Sequence, residues 1–381
     1  MPSRYRSFRC SVPWLLLALQ ALFLAFQDVN HMVIFGFGFF LMVLRRYGFS
    51  STGFNLLLIV LGVQCSVLVE DLLNLLENHP SRFGLERALM SMTAVVISTG
   101  AVLGKANPVQ LIVMSLVELI IFHLSRCINR KFLQSPSLMH VHLFGAYFGL
   151  AVTSCFPEPP PGLDKNRSTP KSELFSVLGT VFVWVFWPSF SSILAENNEV
   201  HWNAVFNTYL ALAVSAVAAF MLSALTSKDG KFRMAHIHSA VLAGGVTLSC
   251  TAGIIQHPWI AMILGLLGSV ISILGSHCLQ RCFNPPLKLQ DTCGVHFTFG
   301  LPAVLGAVAA VLLKIFQQEM VPEQRYRNSC IGAFCQTIST AFITGLITGL
   351  ILNIKLLKAV HVSKYFDDQF FWEFPHLSVG F

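Results

Sequence analysis

Long apolar runs separated by short polar stretches dominate the chain. A membrane-crossing helix needs about 20 mainly apolar residues, and runs near that length recur from one end of the chain to the other. The twelve candidate spans are residues 11–26, 32–44, 54–75, 88–104, 109–127, 138–155, 174–195, 203–226, 237–254, 258–277, 295–315 and 333–354. The most polar connection, FPEPPPGLDKNRSTPKSE at 156–173, has the composition of a loop. The pattern predicts an all-α integral membrane protein with about 12 transmembrane helices.

The first two candidate spans are short. Residues 11–44 number only 34, whereas two full spans need about 40 residues before any turn. Either these two helices are short and tilted, or the chain lacks a piece of this region. The basic start and apolar core of 11–26 resemble a signal peptide, but no small-x-small cleavage site follows before the polar Gln27, Asp28 and Asn30. We therefore predict that the segment is retained.

Composition supports a membrane protein and excludes several other classes. The chain is 54% hydrophobic and 11% charged, against about 25% charged residues in soluble domains. Its net charge of +7 forms no basic stripe with interleaved aromatics, so we predict no nucleic-acid partner. No Walker motif, nucleophile elbow or GxGxxG occurs, which excludes the common machinery of pumps and enzymes and predicts no cofactor.

The distribution of Lys and Arg predicts the orientation. If the amino terminus is inside and the spans alternate, 17 of the 25 basic residues fall on inside stretches. The positive-inside rule then predicts that both termini are cytoplasmic. We divide the chain into a polytopic domain, residues 1–355, and a cytoplasmic carboxy-terminal tail, residues 356–381.

A few polar side chains lie at membrane depth, where a charge costs about 3 kcal/mol or more. Glu118 is the most central acid, and its ordinary interpretation is a carboxylate hydrogen-bonded between helices. His142 and His296 lie in apolar, Gly-containing segments six and eleven. Each alone is more often a packing residue than a site. As a pair they occupy equivalent positions if the chain consists of two inverted repeats, a common transporter design with the site at the repeat interface.

Two His-x-His pairs, at 140/142 and 236/238, are poor candidates for metal ligands. Residues i and i+2 of a helix point in different directions, so neither pair can easily coordinate one ion. We predict no metal site.

Several strings in this chain resemble the signatures of the Rh branch of the ammonium transporter family. They are GAVLGKANPVQLIVM (100–114), HLFGAYFGL (142–150), WPSF (187–190), NAVFNTY (203–209), HSAVLAGGV (238–246), LQDTCGVH (289–296) and TGLITGLILN (344–353). The final KYFDDQFFWEFPHLSVGF (364–381) resembles the tail of the Rh blood-group polypeptides. The resemblance runs over essentially the whole chain.

The resemblance implies a trimer in which each subunit has its own narrow pore. In the Rh glycoproteins two histidines line that pore, and His142 and His296 fall on those two motif positions. The blood-group polypeptides lack these histidines, so this chain retains a feature that those polypeptides have lost. Phe190 of WPSF matches one of two gating phenylalanines.

Other positions depart from the family pattern. Met90 occupies the position of the second gating phenylalanine. Gln134 stands where an acidic residue should lie near the outer mouth, eight residues before His142. Ser191 replaces the Asn that usually follows Phe190. These departures bear on conduction rather than on membership of the family.

Three functions are compatible with these residues. The first is a passive channel for ammonia, and by extension carbon dioxide, in the plasma membrane. The second is a non-conducting subunit that assembles with the Rh-associated glycoprotein and links the membrane to the ankyrin-based skeleton, with the tail as the possible ankyrin contact. In either function we expect a homotrimer or a heterotrimer with the Rh-associated glycoprotein. A third, a secondary active transporter, is disfavoured because it would need paired intramembrane charges for ion coupling, and the sequence offers none beyond Glu118.

Overall fold

All regular structure in the described part of the chain is helical. The computed structural model describes residues 32–77, 85–130, 138–159, 164–193, 195, 197–227, 229–279, 291–316, 323–357 and 359–374. The predicted span 11–26 lies outside these residues, as does Gln134.

Eleven α-helices follow one another in these ranges. A π-helical turn, Met32–Gly36, leads into α1. The helices are α1 (Phe37–Phe40), α2 (Gly48–Glu77), α3 (Leu85–Val102), α4 (Pro108–Arg130), α5 (Met139–Ser154), α6 (Pro170–Ser192), α7 (Asn198–Thr226), α8 (Met234–Thr247), α9 (Pro258–Leu274), α10 (Leu301–Phe316) and α11 (Glu323–Leu352). Another π-helical turn, His296–Gly300, runs directly into α10.

These helices coincide with the predicted spans from 32–44 to 333–354. Seven of the helices in the described ranges are long and apolar enough to cross a membrane, and α3 and α8 form shorter apolar helices. The prediction of an all-α membrane protein with the ammonium transporter fold is confirmed.

The segment predicted at 32–44 ends earlier than expected, at Phe40. Leu41 and Leu44 are buried at 2% and 3% exposure although the chain has left the helix, because the turn packs into the core. Gly179 of α6 explains how close α1 lies to its neighbour: a Cβ there would overlap the backbone of Phe39 and Phe40. The helix described within 32–44 is therefore short, and the preceding candidate span, 11–26, lies outside the described residues.

Local capping chemistry starts the later helices. Thr169 and Ser172 form a reciprocal capping box, and Pro170 takes the first helical position of α6. At the start of α7, Asn197 Oδ1 accepts a hydrogen bond from the Val200 amide at 2.9 Å. The Pro-rich loop predicted at 156–173 therefore ends at the capping residue Thr169, where α6 begins.

The helix contacts repeat between two halves of the chain. In the first half α2 packs on α4 and α3 on α5; in the second α7 packs on α9 and α8 on α10. His142 lies on α5, and His296 lies in the turn that begins α10. Among the described helices, His142 therefore lies on the fifth helix of the first half and His296 directly before the fifth helix of the second, and α11 packs outside the repeat against α5.

Several of the connections that were assigned to the inside, among the described residues, meet at one end of the bundle, which we call the tail face. Residues of the carboxy-terminal segment bond there to the backbone of Arg46 and Gly104, and Lys165 pairs with Asp367 at 2.7 Å. At the opposite end, the buried Glu70 of α2 pairs with Arg126 of α4 at 2.8 Å. The turns at Arg46 and Gly104, the loop at Lys165 and the carboxy-terminal segment therefore lie together at one end of the bundle.

Candidate functional site

His142 is enclosed on all sides by the helix bundle. Its side chain is 0% exposed, and neither ring nitrogen has a hydrogen-bond partner in the described structure. Trp187 stacks on one side, with ring centres 5.6 Å apart and planes 11° from parallel. Phe299 also stacks on the imidazole, at 6.2 Å and 7°. The His142 imidazole is therefore a buried polar group, surrounded by aromatic rings, that lacks the hydrogen bonds a buried imidazole usually makes.

His296 lies at the start of the π-helical turn before α10. Its ring meets Tyr147 of α5 edge to face, with centres 5.9 Å apart and planes at 76°. Its Nδ1 atom is buried and has no hydrogen-bond partner among the described residues. Its backbone amide donates to Asp291 Oδ2 at 2.7 Å. This second imidazole is only partly buried.

The two histidines lie on one interface, between α5 and the start of α10. Each imidazole contacts a ring from the other's helix: Phe299 lies against His142, and Tyr147 lies against His296. Phe299 follows His296 by three residues and Tyr147 follows His142 by five, so the histidines are offset by about 5–8 Å along the helices at 1.5 Å per residue. The described residues contain no hydrogen bond between the two imidazoles.

The residues predicted as gates have different surroundings. Phe190 of α6 is fully buried and meets His142 edge to face, with ring centres 6.3 Å apart. Met90 is buried at 4% exposure in the core on α3, which packs against α5. The predicted outer vestibule residue, Gln134, lies outside the described residues.

An aromatic series extends from His142 toward the tail face, and sequence reasoning missed it. Phe299 contacts Phe37 and Phe40 at 6.2 Å and 6.0 Å. Phe40 in turn stacks on His238 with ring centres 4.0 Å apart. These rings fill the space beside His142. In the sequence, the one feature that could have pointed to this series is the position of Phe299, three residues after His296.

Other polar residues singled out by the sequence have structural partners. Ser98 of α3 donates a hydrogen bond to Glu118 of α4, as the ordinary interpretation of that acid predicted. His140 Nδ1 lies 3.0 Å from both Asn129 Nδ2 and Thr337 Oγ1. His238 Nε2 donates to the Phe40 carbonyl at 3.1 Å. These contacts join helices, and they distinguish His140 and His238 from His142.

A lysine and an aspartate lie close to the site at the tail face. Lys105, in the turn between α3 and α4, is 2% exposed and donates to Thr153 Oγ1 at 2.9 Å. Burial lowers its pKa to about 8, against an opposing effect of the Asp291 charge. Burial raises the pKa of Asp291, while its backbone hydrogen bonds and Lys105 oppose that rise. The two charges therefore stabilise one another next to His296.

This helical bundle, in which seven helices of the described ranges are long and apolar enough to cross a membrane, is that of an integral membrane protein. The sequence profile of the Ammonium Transporter Family matches residues 17–367. An RH-like protein of Macaca mulatta is 42% identical over 421 aligned positions that cover 100% of both chains. The blood group Rh(D) polypeptide of Rattus norvegicus is 40% identical over 430 positions, again covering 100% of both.

Solved structures agree with this match. Rh50 of Nitrosomonas europaea, a member of the Rhesus protein family of channels, superposes with a TM-score of 0.77 at 27% identity, covering 92% of each chain. The chain belongs to the ammonium transporter family and is similar to its Rh members. Members of this family are channels and not enzymes.

Proposed function

We propose that this chain is a passive channel for ammonia whose path passes His142 and His296. The observation that carries the proposal is the state of His142, whose two ring nitrogens are buried without a hydrogen-bond partner among the described residues. Such an unsatisfied group costs roughly 1–3 kcal/mol. A small molecule that both donates and accepts hydrogen bonds removes this cost, and ammonia is such a molecule.

The same surroundings disfavour the ammonium ion. A charge that leaves water for an apolar interior loses several kcal/mol of solvation. Neutral imidazoles offer one donor and one acceptor each, which suits a neutral solute. Carbon dioxide is also small and uncharged, so it is a second solute for the same path.

Aromatic side chains would gate this path. Phe190 stands beside His142 and would narrow the entrance, with Met90 in place of a second phenylalanine. Gln134 would lie at the outer vestibule, where a neutral amide attracts a cation less strongly than a carboxylate does. His142 is 0% exposed, and Phe190, Trp187 and Phe299 lie against its ring. We therefore expect conduction to require a movement of one of these rings.

The family resemblance supports a proposal for the assembly and the location. The chain would act in the plasma membrane as a homotrimer, or as a heterotrimer with the Rh-associated glycoprotein. Both termini would be cytoplasmic, with residues 1–355 as the membrane domain and 356–381 as the tail.

A second function is a non-conducting subunit that joins an Rh complex to ankyrin. Two observations favour it. The closed surroundings of His142 are those of a packed core, and within the described part of the tail Tyr365 and Phe366 are 0% exposed. A tail fixed to the bundle offers a partner a rigid surface at the tail face.

Stopped-flow ammonia permeability separates the two functions. Trimers of this chain are reconstituted into proteoliposomes and compared with empty vesicles of the same lipid. Permeability well above that of empty vesicles supports the channel. Equal permeability, together with binding of purified ankyrin that is lost after deletion of residues 356–381, supports the structural subunit.

A further inference from the structure

A small cavity lies beside the first turns of α2, at the tail face. Its volume is about 20 Å³, and it is lined by described residues of the turn before α2, of α2, of α3 and of α4. None of these lining residues carries a formal charge. Space of about 10–15 Å³ is enough to hold one water molecule. The cavity therefore has room for a single molecule of that size and for nothing much larger.

Two polar side chains that line this cavity are deeply buried. Asn55 of α2 is 3% exposed, and Tyr47, in the turn before α2, is 1% exposed. The Nδ2 and Oδ1 atoms of Asn55 and the hydroxyl of Tyr47 have no hydrogen-bond partner among the described residues. Buried polar groups nearly always have such a partner, because burial removes their bonds to solvent. Three atoms around one cavity therefore point to a polar ligand inside it.

The carboxy-terminal segment packs over residues that line the cavity. The Trp372 indole donates a hydrogen bond to Ser50 Oγ at 2.9 Å, and its ring stacks on Phe54 with centres 5.8 Å apart. The Phe366 amide donates to the Gly104 carbonyl at 2.9 Å. Ser50, Phe54 and Gly104 all line the cavity. A molecule bound there would lie beneath the tail.

The unpartnered atoms select the chemistry of this molecule. The Asn55 Nδ2 group needs an acceptor, its Oδ1 atom needs a donor, and the Tyr47 hydroxyl can be either. An ammonium ion offers donors only, and no charged side chain among the lining residues would balance its charge. A neutral molecule that both donates and accepts hydrogen bonds fits. Water and ammonia share this chemistry, and water, as the solvent, is far more abundant.

We propose that this cavity is a binding site for one water molecule, which bridges Asn55 and Tyr47 beneath the tail. The water accepts a hydrogen bond from one of these side chains and donates one to the other. It thereby joins α2 to the turn that precedes it, as buried waters do when they satisfy polar groups on neighbouring elements. The inference does not depend on the proposed channel function.

Cryo-electron microscopy of the protein in lipid nanodiscs, in buffer free of ammonium salts, tests the site directly. In a map that resolves other buried waters, we expect a peak about 2.7–3.2 Å from both the Asn55 amide and the Tyr47 hydroxyl. The peak should disappear in Asn55→Leu. It should remain in Thr208→Val, which removes a buried hydroxyl on α7 that also has no partner among the described residues. A wild-type map without the peak contradicts the proposal, and so does a peak that requires added ammonium chloride, because the ligand would then be ammonia.

Thermal unfolding in detergent tests whether the two side chains act through one shared molecule. Asn55→Leu and Tyr47→Phe remove the polar atoms and keep most of the side-chain volume. Each is expected to lower the unfolding temperature by about 2–4 °C. The double variant should lose less than the sum, because either change already removes the bridge.

A distant pair provides the reference for this comparison. The losses of Thr208→Val and Tyr47→Phe should add, because Thr208 lies on α7 and does not line the cavity. Losses that also add for Asn55→Leu and Tyr47→Phe would mean that these two residues act independently, which overturns the proposal. If Asn55→Leu fails to fold, Asn55→Ala takes its place in the unfolding comparison.

Discussion

The imidazole of His142 and the ring of Phe299 stack with centres 6.2 Å apart and planes 7° from parallel. Phe299 comes from the second half of the chain and His142 from the first, so this contact crosses the interface between the repeats. His142 is the residue that most clearly suggests transport, and Phe299 fills the space beside its ring. The path at His142 therefore depends on where the Phe299 ring lies.

Replacing Phe299 with alanine is expected to increase ammonia permeability in a conducting wild type. The change removes the ring that stacks on the imidazole and leaves a void beside it. The cost is a loss of about 3–5 kcal/mol of stability, as for other buried Phe→Ala changes. Phe220→Ala, at an exposed position on α7, is the control. Permeability equal to that of the control would show that Phe299 does not limit the path.

Replacing Asp368 with alanine is expected to weaken the contact between the tail and the start of α2. Its carboxylate accepts hydrogen bonds from the Phe49 and Ser50 amides at 2.9 Å and 2.8 Å, so it caps this helix from a distant part of the chain. Losing a cap costs about 0.5–2 kcal/mol. Hydrogen exchange at the amides of residues 49 and 50 should therefore accelerate in Asp368→Ala.

The neighbouring aspartate provides the control for this cap. Asp367 pairs with the partly exposed Lys165, and pairs of that kind contribute little stability. Asp367→Ala should leave exchange at residues 49 and 50 unchanged. Equal acceleration in both variants would mean that the tail as a whole protects α2, rather than the Asp368 cap.

A methyl group added at Gly149 is expected to destabilise the bundle. A Cβ there would lie 2.6 Å from the Ser98 carbonyl oxygen, because α5 and α3 touch backbone to backbone at this point. Overpacking of this kind costs about 1–3 kcal/mol. Gly38→Ala is the control, since a Cβ there would meet its nearest neighbour at 3.9 Å. Thermal unfolding in detergent should show a clear drop for Gly149→Ala alone.

The lowered pKa of Lys105 leads us to expect that its contribution to the free energy of unfolding increases at alkaline pH. Burial lowers its pKa from 10.5 to about 8 in the folded protein. Between these values the unfolded chain binds a proton that the folded protein has lost, so stability increases with pH across this window. The difference in unfolding temperature between wild type and Lys105→Met isolates this effect from other titrating groups. From about pH 8 upward, the unfolding temperature of wild type should increase relative to that of Lys105→Met. A difference between the two that does not change with pH would contradict the prediction.

Hydropathy predicted the spans well and their ends poorly, for a physical reason. The method detects the apolar part of a helix, whereas α11 begins at Glu323, ten residues before the predicted span. Polar residues can continue a helix beyond the apolar region without changing the hydropathy signal. Conversely, Leu41 and Leu44 are buried in a turn, and their hydropathy does not distinguish a turn from a helix.

The candidate site was predictable in part. His142 and His296 stood out because imidazoles are rare in apolar segments, and they lie on one helix interface. Phe299 and Trp187 did not stand out, since the chain contains 33 phenylalanines and 6 tryptophans. Which ring stacks on His142 is decided by packing between the two halves. The Asp291 bond to the His296 amide likewise depends on the backbone of the turn rather than on a motif alone.

The most direct measurement is stopped-flow ammonia permeability of proteoliposomes that contain wild type, His142→Ala, or the His142→Ala, His296→Ala double variant. His201→Ala, on α7 and away from both imidazoles, is the control for loss of a histidine. We expect wild type and His201→Ala to conduct well above empty vesicles, and both pore variants to conduct less. Permeability that is the same in all four proteins would contradict a path through His142 and His296.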